Sequence, residues 1–104
     1  MRSAGRHVAV AVTLLAAGPA AWASTHTVVI EDMQFKPATL TVKRGDRVVW
    51  VNRDVVPHNA RDGKGLESPD IAPGGSWSTA VNKAGQLSYL CTLHPMMKAT
   101  LVVK

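Results

Sequence analysis

Apolar and polar residues alternate along much of the chain after residue 24. A period of two puts every second side chain on the same face, which is typical of a β-strand with one buried side. The alternating segments are residues 38–43, 76–81 and 87–91, and denser apolar or β-branched runs cover residues 28–33, 48–51 and 99–103. This pattern predicts six or seven short strands.

Turn signals separate these segments. Residues 44–46, 52–54 and 82–85 contain the glycine, asparagine and aspartate that favour turns, and residues 60–75 are rich in glycine and proline. Residues 24–104 carry no convincing helical period. We therefore predict an all-β domain, either an antiparallel sandwich or a barrel.

The first 23 residues follow a different pattern. Arg2 and Arg6 precede an apolar run of 11 residues at positions 8–18, and residues 21–23 read Ala-Trp-Ala. The run is shorter than the ~20 residues of a membrane-spanning helix, and the small-x-small triplet fits a signal cleavage site. We interpret residues 1–23 as a secretory signal peptide cut before Ser24, rather than as a buried helix or an uncleaved anchor. The domain is then residues 24–104, in the periplasm or secreted, with no membrane anchor.

Composition and charge exclude several classes of protein. A hydrophobic fraction of 46% argues against a disordered chain, and a single cysteine excludes an intramolecular disulfide. Without Arg2 and Arg6, 10 basic residues stand against 7 acidic ones, a net charge of +3 that is too mild and too scattered for nucleic acid. The basic residues expected to steer the protein toward an acidic partner are Lys36, Arg53, Arg61, Lys64 and Lys98.

The lone thiol of Cys91 stands in a motif that suggests a metal. A free cysteine in an exported protein is either buried and inert, paired with another chain, or held by a metal. His94 and Met97 follow at intervals of three, giving Cys-x-x-His-x-x-Met. A thiolate, an imidazole and a thioether are soft ligands that favour copper over zinc, calcium or magnesium. A small domain without disulfides also gains most from such a metal.

The remaining ligand positions have competing candidates. His58 follows the predicted strand at residues 48–51 and is preferred to His26, which lies near the start of the domain. Met97 is preferred to the adjacent Met96 because the parity of the last strand places it on the same side as Ala99. Met96 is then expected to face outward, as part of an apolar rim.

The sequence resembles a known family at these positions. Residues 91–97, preceded by Tyr89, look like the ligand loop of the cupredoxins, the small type 1 blue copper proteins. The front half of the family is similar to residues 35–37, 40–42, 45–46, 49–52 and 57–59. The resemblance covers essentially all of residues 26–104.

The resemblance implies a fold and a function. The expected fold is a Greek-key β-sandwich of about seven short strands. The expected copper ligands are His58, Cys91, His94 and Met97, with Asn59 tying the two ligand loops together beside the sulfur. A monomer would shuttle single electrons between redox proteins, such as a cytochrome or an oxidoreductase, docking transiently near His94. The alternative is a copper carrier or storage protein. Since protein side chains fill all four positions, no enzyme activity is expected.

Overall fold

The computed structural model describes residues 23–104, and the predicted signal peptide lies outside this part of the chain except for Ala23. The described residues contain no helix, and their all-β character is confirmed. Seven strands follow one another along the chain: β1 (Thr25–Glu31), β2 (Gln34–Lys36), β3 (Thr39–Val42), β4 (Arg47–Asn52), β5 (Ser76–Ala80), β6 (Gly85–Cys91) and β7 (His94–Val103).

The strands form two sheets that pack as a sandwich. One sheet has the order β2-β1-β4-β5 and the other the order β3-β7-β6. Both are mixed, because β1 pairs with β4 and β3 pairs with β7 in parallel. The expected Greek-key sandwich is confirmed, whereas the expectation of purely antiparallel pairing is wrong. Alternation along a strand fixes which face is buried but leaves the direction of its neighbour open.

The core lies between the sheets and is centred on aromatic rings. Trp50 of β4 and Tyr89 of β6 are buried and meet edge to face, with ring centroids 5.7 Å apart. Trp50 Nε1 donates a hydrogen bond to the Tyr89 hydroxyl at 3.2 Å. The two residues are 39 positions apart, so this bond joins the two sheets. Burial raises the pKa of Tyr89 to about 12, so the phenol stays neutral.

One end of the sandwich carries the loops of interest. Asn52 closes β4, is fully buried, and donates through Nδ2 to the carbonyls of Val56 and Ile71, both at 2.9 Å. These bonds fold the chain after β4 back over the sheet. The turn between β6 and β7 lies at the same end, because Arg61 of the folded-back chain bonds to Leu90 near the end of β6. Within residues 23–104, no helix is long and apolar enough to span a membrane.

Candidate metal centre

Two of the candidate ligands lie at the tip of one hairpin. β6 ends at Cys91 and β7 begins at His94, and these residues are paired across the turn after a register shift at Leu90/Cys91. Cys91 is fully buried and His94 is half-buried. The Cys91 Sγ atom lies 3.7 Å from His94 Nδ1. The tight turn therefore brings together the thiol and the imidazole of two residues that are only three positions apart.

The third candidate comes from the opposite sheet. His58 follows β4, is fully buried, and exchanges backbone hydrogen bonds of 3.2 and 2.7 Å with Ile71. Its neighbouring segment is held to β6 by two bonds between Arg61 and Leu90, of 2.9 and 3.0 Å. This attachment carries His58 to the hairpin, where its Nδ1 lies 3.7 Å from Cys91 Sγ.

The spacing of the three donor atoms fits a single metal ion. All three lie within 4.8 Å of one another, and the two imidazole rings meet at 62° with centroids 4.9 Å apart. Bonds of about 2.0 Å to nitrogen and about 2.3 Å to sulfur, set about 120° apart, would separate a nitrogen from the sulfur by about 3.7 Å. Both nitrogen–sulfur distances agree with this value.

Met97 occupies the buried side of β7. It is 5% exposed, whereas Met96 is 93% exposed. The alternation continues through the buried Ala99 and Leu101. The expected parity of the last strand is therefore confirmed, with Met97 facing the interior and Met96 facing outward. The thioether of Met97 belongs to a residue three positions beyond His94, on the buried face of β7.

Asp54 orients the buried histidine. Its Oδ2 lies 2.7 Å from His58 Nε2. Burial alone would raise the pKa of Asp54, but hydrogen bonds from the Met33 amide, the His58 ring and the Asp32 amide hold that pKa below its usual range. Because an ionised carboxylate only accepts, Asp54 favours the tautomer of His58 with the proton on Nε2, which leaves the Nδ1 lone pair on the side of Cys91. The sequence analysis missed Asp54; the available signal was a carboxylate four residues before the candidate histidine.

Asn59 joins the two loops as expected. Its backbone amide donates to Cys91 Sγ at 3.4 Å. Its side chain donates through Nδ2 to the Thr92 hydroxyl at 2.9 Å and accepts from the Thr92 amide through Oδ1 at 2.8 Å. The asparagine is fully buried, and Nδ2 also donates to Asp70 Oδ1 at 2.9 Å. The amide directed at the sulfur stabilises a thiolate there.

The competing histidine lies away from this centre. His26 is on β1, opposite Val48 near the start of β4, whereas the chain reaches His58 from the far end of that strand. Its Nε2 lies 2.9 Å from Asp46 Oδ2. Of the two histidines, His58 is the one that lies beside Cys91 and His94. His26 belongs to a separate polar cluster.

Exposed apolar side chains lie on the same two loops as His58 and His94. Met96 is exposed as expected, Pro57 and Pro95 are also exposed, and Leu93 and Val55 are 46% and 90% exposed. Leu93 immediately precedes His94 and Val55 lies three residues before His58, but neither carries a pattern of its own. The two loops that carry the candidate ligands thus expose several apolar side chains.

Comparison with known proteins identifies the class. A family model described as a cupredoxin-like domain matches residues 6–103. The chain belongs to this family. Among its relatives, the amicyanin-alpha of Methylorubrum extorquens is 33% identical over 102 residues, which cover 92% of this chain and 86% of that protein. A plastocyanin of Scenedesmus fuscus is 33% identical over 67% of this chain and 86% of its own length.

The amicyanins of Paracoccus are longer proteins. The amicyanin of Paracoccus versutus is 35% identical over 72% of this chain, and the match spans 61% of the relative's length. Its crystal structure superposes with a TM-score of 0.72 at 33% identity, covering 86% of this chain and 88% of that structure. A structure of an amicyanin variant in the Cu(I) state gives the same TM-score at 34% identity, with 86% and 89% coverage. These relatives agree with the expectation that the chain is not an enzyme.

Proposed function

We propose that His58, Cys91, His94 and Met97 hold one copper ion and that the protein carries single electrons between redox partners. The observation that carries the proposal is the pair of 3.7 Å distances from Cys91 Sγ to the Nδ1 atoms of His58 and His94. Copper supplies the one-electron chemistry by alternating between Cu(I) and Cu(II). The chain supplies a fixed set of donors on which that exchange takes place.

The donor chemistry supports copper over other metals. Two imidazoles, a thiolate and the thioether of Met97 would together supply the donor set used by blue copper proteins. Zinc seldom takes a thioether, and calcium or magnesium requires oxygen ligands. Four protein donors leave no open position for a substrate, which supports electron transfer rather than catalysis at the metal.

The surroundings support rapid electron exchange by holding the donors still. Asp54 fixes the ring of His58, and Asn59 fixes the Cys91 loop through three hydrogen bonds. His58, Asn59 and Cys91 are all fully buried, which excludes water. Donors that keep their positions in both oxidation states reduce the reorganisation that accompanies the transfer.

The surface around His94 supports transient docking. An imidazole edge within an apolar rim is suited to a small interface that releases quickly, as redox encounters require. A cytochrome or an oxidoreductase is the expected kind of partner. Arg53, Lys64 and Lys98 are the basic residues left to steer an acidic partner, because Lys36 and Arg61 lie 2.9 and 3.6 Å from Asp32 and Asp70.

Export forms part of the same proposal. Residues 1–23 would act as a signal peptide removed before Ser24, and the monomeric domain of residues 24–104 would work in the periplasm or outside the cell. The alternative role of copper carrier or storage protein draws no support from the relatives, which are amicyanins and plastocyanins. Slow copper exchange together with reversible redox cycling would separate the electron shuttle from the carrier.

Spectroscopy of the purified protein tests the proposal. Addition of Cu(II) should give the intense visible absorption of a thiolate–copper bond and the narrow hyperfine splitting of a type 1 EPR signal. Cys91→Ala should abolish the visible band, and His58→Ala should change the EPR signal. His26→Ala is the matched control, since this histidine lies outside the centre, and it should leave both spectra unaltered. A blue Cys91→Ala variant would overturn the assignment.

A further inference from the structure

A second polar cluster lies at the start of β4, at the opposite end of the strand from His58. Asp46 is 5% exposed, and its carboxylate receives three hydrogen bonds. The backbone nitrogen of Ser24 donates to Oδ1 at 3.0 Å, and the Lys43 amide donates to Oδ2 at 2.9 Å. His26 Nε2 lies 2.9 Å from Oδ2. Two of the three donors come from the first residues of the domain.

Ser24 is held through both its backbone nitrogen and its backbone carbonyl. The nitrogen donates to Asp46, and the carbonyl accepts from the Arg47 amide at 2.9 Å. The second bond continues the parallel pairing of β1 with β4. Asp46 is itself fixed, because its amide donates to the Lys43 carbonyl at 3.0 Å and its carbonyl accepts from the Val81 amide at 2.9 Å. The position of the Ser24 nitrogen over the carboxylate is therefore set by the sheet.

We propose that Asp46 is the binding site for the α-ammonium group of Ser24, formed when the peptide bond between Ala23 and Ser24 is cut. This inference rests on the export proposal. Water adds across the bond under the action of a signal peptidase. The carboxylate stays on Ala23 of the released segment, and the amine stays on Ser24 and takes a proton. The mature chain then closes its first strand with an ion pair.

Cleavage would change the character of a hydrogen bond that the structure already contains, the one from the Ser24 nitrogen to Asp46. In the uncut chain, Ser24 offers Asp46 one neutral N–H. In the cut chain, the same nitrogen carries three N–H groups and a positive charge, and hydrogen bonds between charged groups are roughly twice as strong as neutral ones. Ala23 and Ser24 are both exposed, so the peptide bond between them lies at the surface. A cut one residue earlier would leave an ordinary amide over Asp46 and lose this gain.

The same three residues offer a competing role. A free amine with histidine in third position chelates Cu(II) or Ni(II), and Ser24-Thr25-His26 has that form. Chelation would take the Ser24 amine away from Asp46 and would pull Thr25 and His26 out of their pairing with Arg47 and Val48. The observed contacts favour the ion pair, since Asp46 engages both the nitrogen of Ser24 and the ring of His26.

The test uses purified chains with defined first residues, released from a fusion so that no extra residue remains. One chain begins at Ser24 and the other at Ala23, each with and without Asp46→Asn. Urea unfolding should give the Ser24 chain a folding equilibrium constant about five- to tenfold larger than the Ala23 chain. The ratio should fall to about one in the Asp46→Asn pair. Asp32→Asn, at the other end of β1, should preserve it.

Two further measurements distinguish a failure of the ion pair from a failure of the proposed cleavage site. If Asp46→Asn does not fold, NMR titration of the Ser24 α-amino group replaces it, and this group should titrate above its usual pKa of about 7.7–8.0. An unshifted or lowered value, an equal ratio in both backgrounds, or stoichiometric Ni(II) binding by the Ser24 chain would overturn the ion pair. Mass analysis of the exported protein tests the cut itself. A different first residue there would reject the cleavage site and with it the physiological role of Asp46.

Discussion

His58 Nε2 and Asp54 Oδ2 are 2.7 Å apart, and this contact connects the candidate metal centre to the rest of its sheet. The same carboxylate accepts from the amides of Asp32 and Met33 at 2.7 and 3.0 Å. Those two residues form the turn between β1 and β2 and have left-handed φ angles of 55° and 58°. Asp54 thus links a hairpin turn to the ring of a buried ligand.

We expect Asp54→Asn to weaken copper binding without removing the visible band. The amide has no negative charge to favour the Nε2–H form of His58, and losses of such supporting contacts cost about 10- to 100-fold in metal affinity. Competition with a Cu(I) chelator measures the change. Asp62→Asn, which alters a surface loop outside the centre, is the control. Equal affinities for Asp54→Asn and the parent chain would contradict the assigned role.

Met97→Leu should retain copper and raise the reduction potential. The substitution keeps the apolar volume but removes the weak thioether donor. Because that donor would stabilise Cu(II) more than Cu(I), its loss should raise the potential. Protein-film voltammetry measures the shift. Met96→Leu is the matched control, because that side chain is 93% exposed and should leave the potential unchanged. A shift with Met96→Leu instead would identify the other methionine as the axial donor.

Tyr89→Phe should destabilise the domain by about 1–3 kcal/mol, because the buried Nε1–H of Trp50 loses its acceptor. The ring packing is kept, so the copper spectrum should not change. Denaturant unfolding provides the measurement. Ser88→Ala, on the exposed face of the same strand, is the control and should fall within about 0.5 kcal/mol of the parent. A neutral effect of Tyr89→Phe would mean that the bond across the sheets adds no stability.

The stabilising effect of Asp46 should disappear in acid. Hydrogen bonds from the Ser24 and Lys43 amides, followed by the His26 ring, lower the pKa of Asp46 to about 2, against 3.8 ordinarily. A lowered pKa gives stability that is complete above the unfolded value and is lost as pH falls through the folded one. The gap in urea midpoint between the parent and Asp46→Asn should therefore be full at pH 5 and shrink toward pH 2. A constant gap would show that the charge of Asp46 is not involved.

The sequence pattern was a good guide to strands but not to their neighbours. The alternation of residues 87–91 predicted β6, and the parity of the last strand correctly placed Met97 and Ala99 on its buried face. β2 was missed because Gln34–Lys36 is too short to show a period. The parallel pairing of β1 with β4 was not predicted. It depends on which of the two sheets β2 and β3 each join, and packing over the whole domain decides that.

The site was predictable where its residues are close in sequence. Cys91, His94 and Met97 share one turn and one strand, so their spacing carries the chemistry directly. His58 could be selected only by resemblance and by its position after a strand. Asp54 was missed because its role depends on a hydrogen bond to the far side of a ring, and an isolated aspartate in a turn has many other uses.

The placement of the donors also bears on the order of events during synthesis. A polypeptide leaves the ribosome, and crosses a membrane, with its amino terminus first. Three of the four proposed donors belong to the hairpin of β6 and β7. The fourth, His58, lies on a loop that is synthesised earlier. No truncated product that ends before residue 97 has the full set. With the proposed donors, metal capture would wait for this last hairpin, since a chain that ends before Cys91 has no thiolate to give colour.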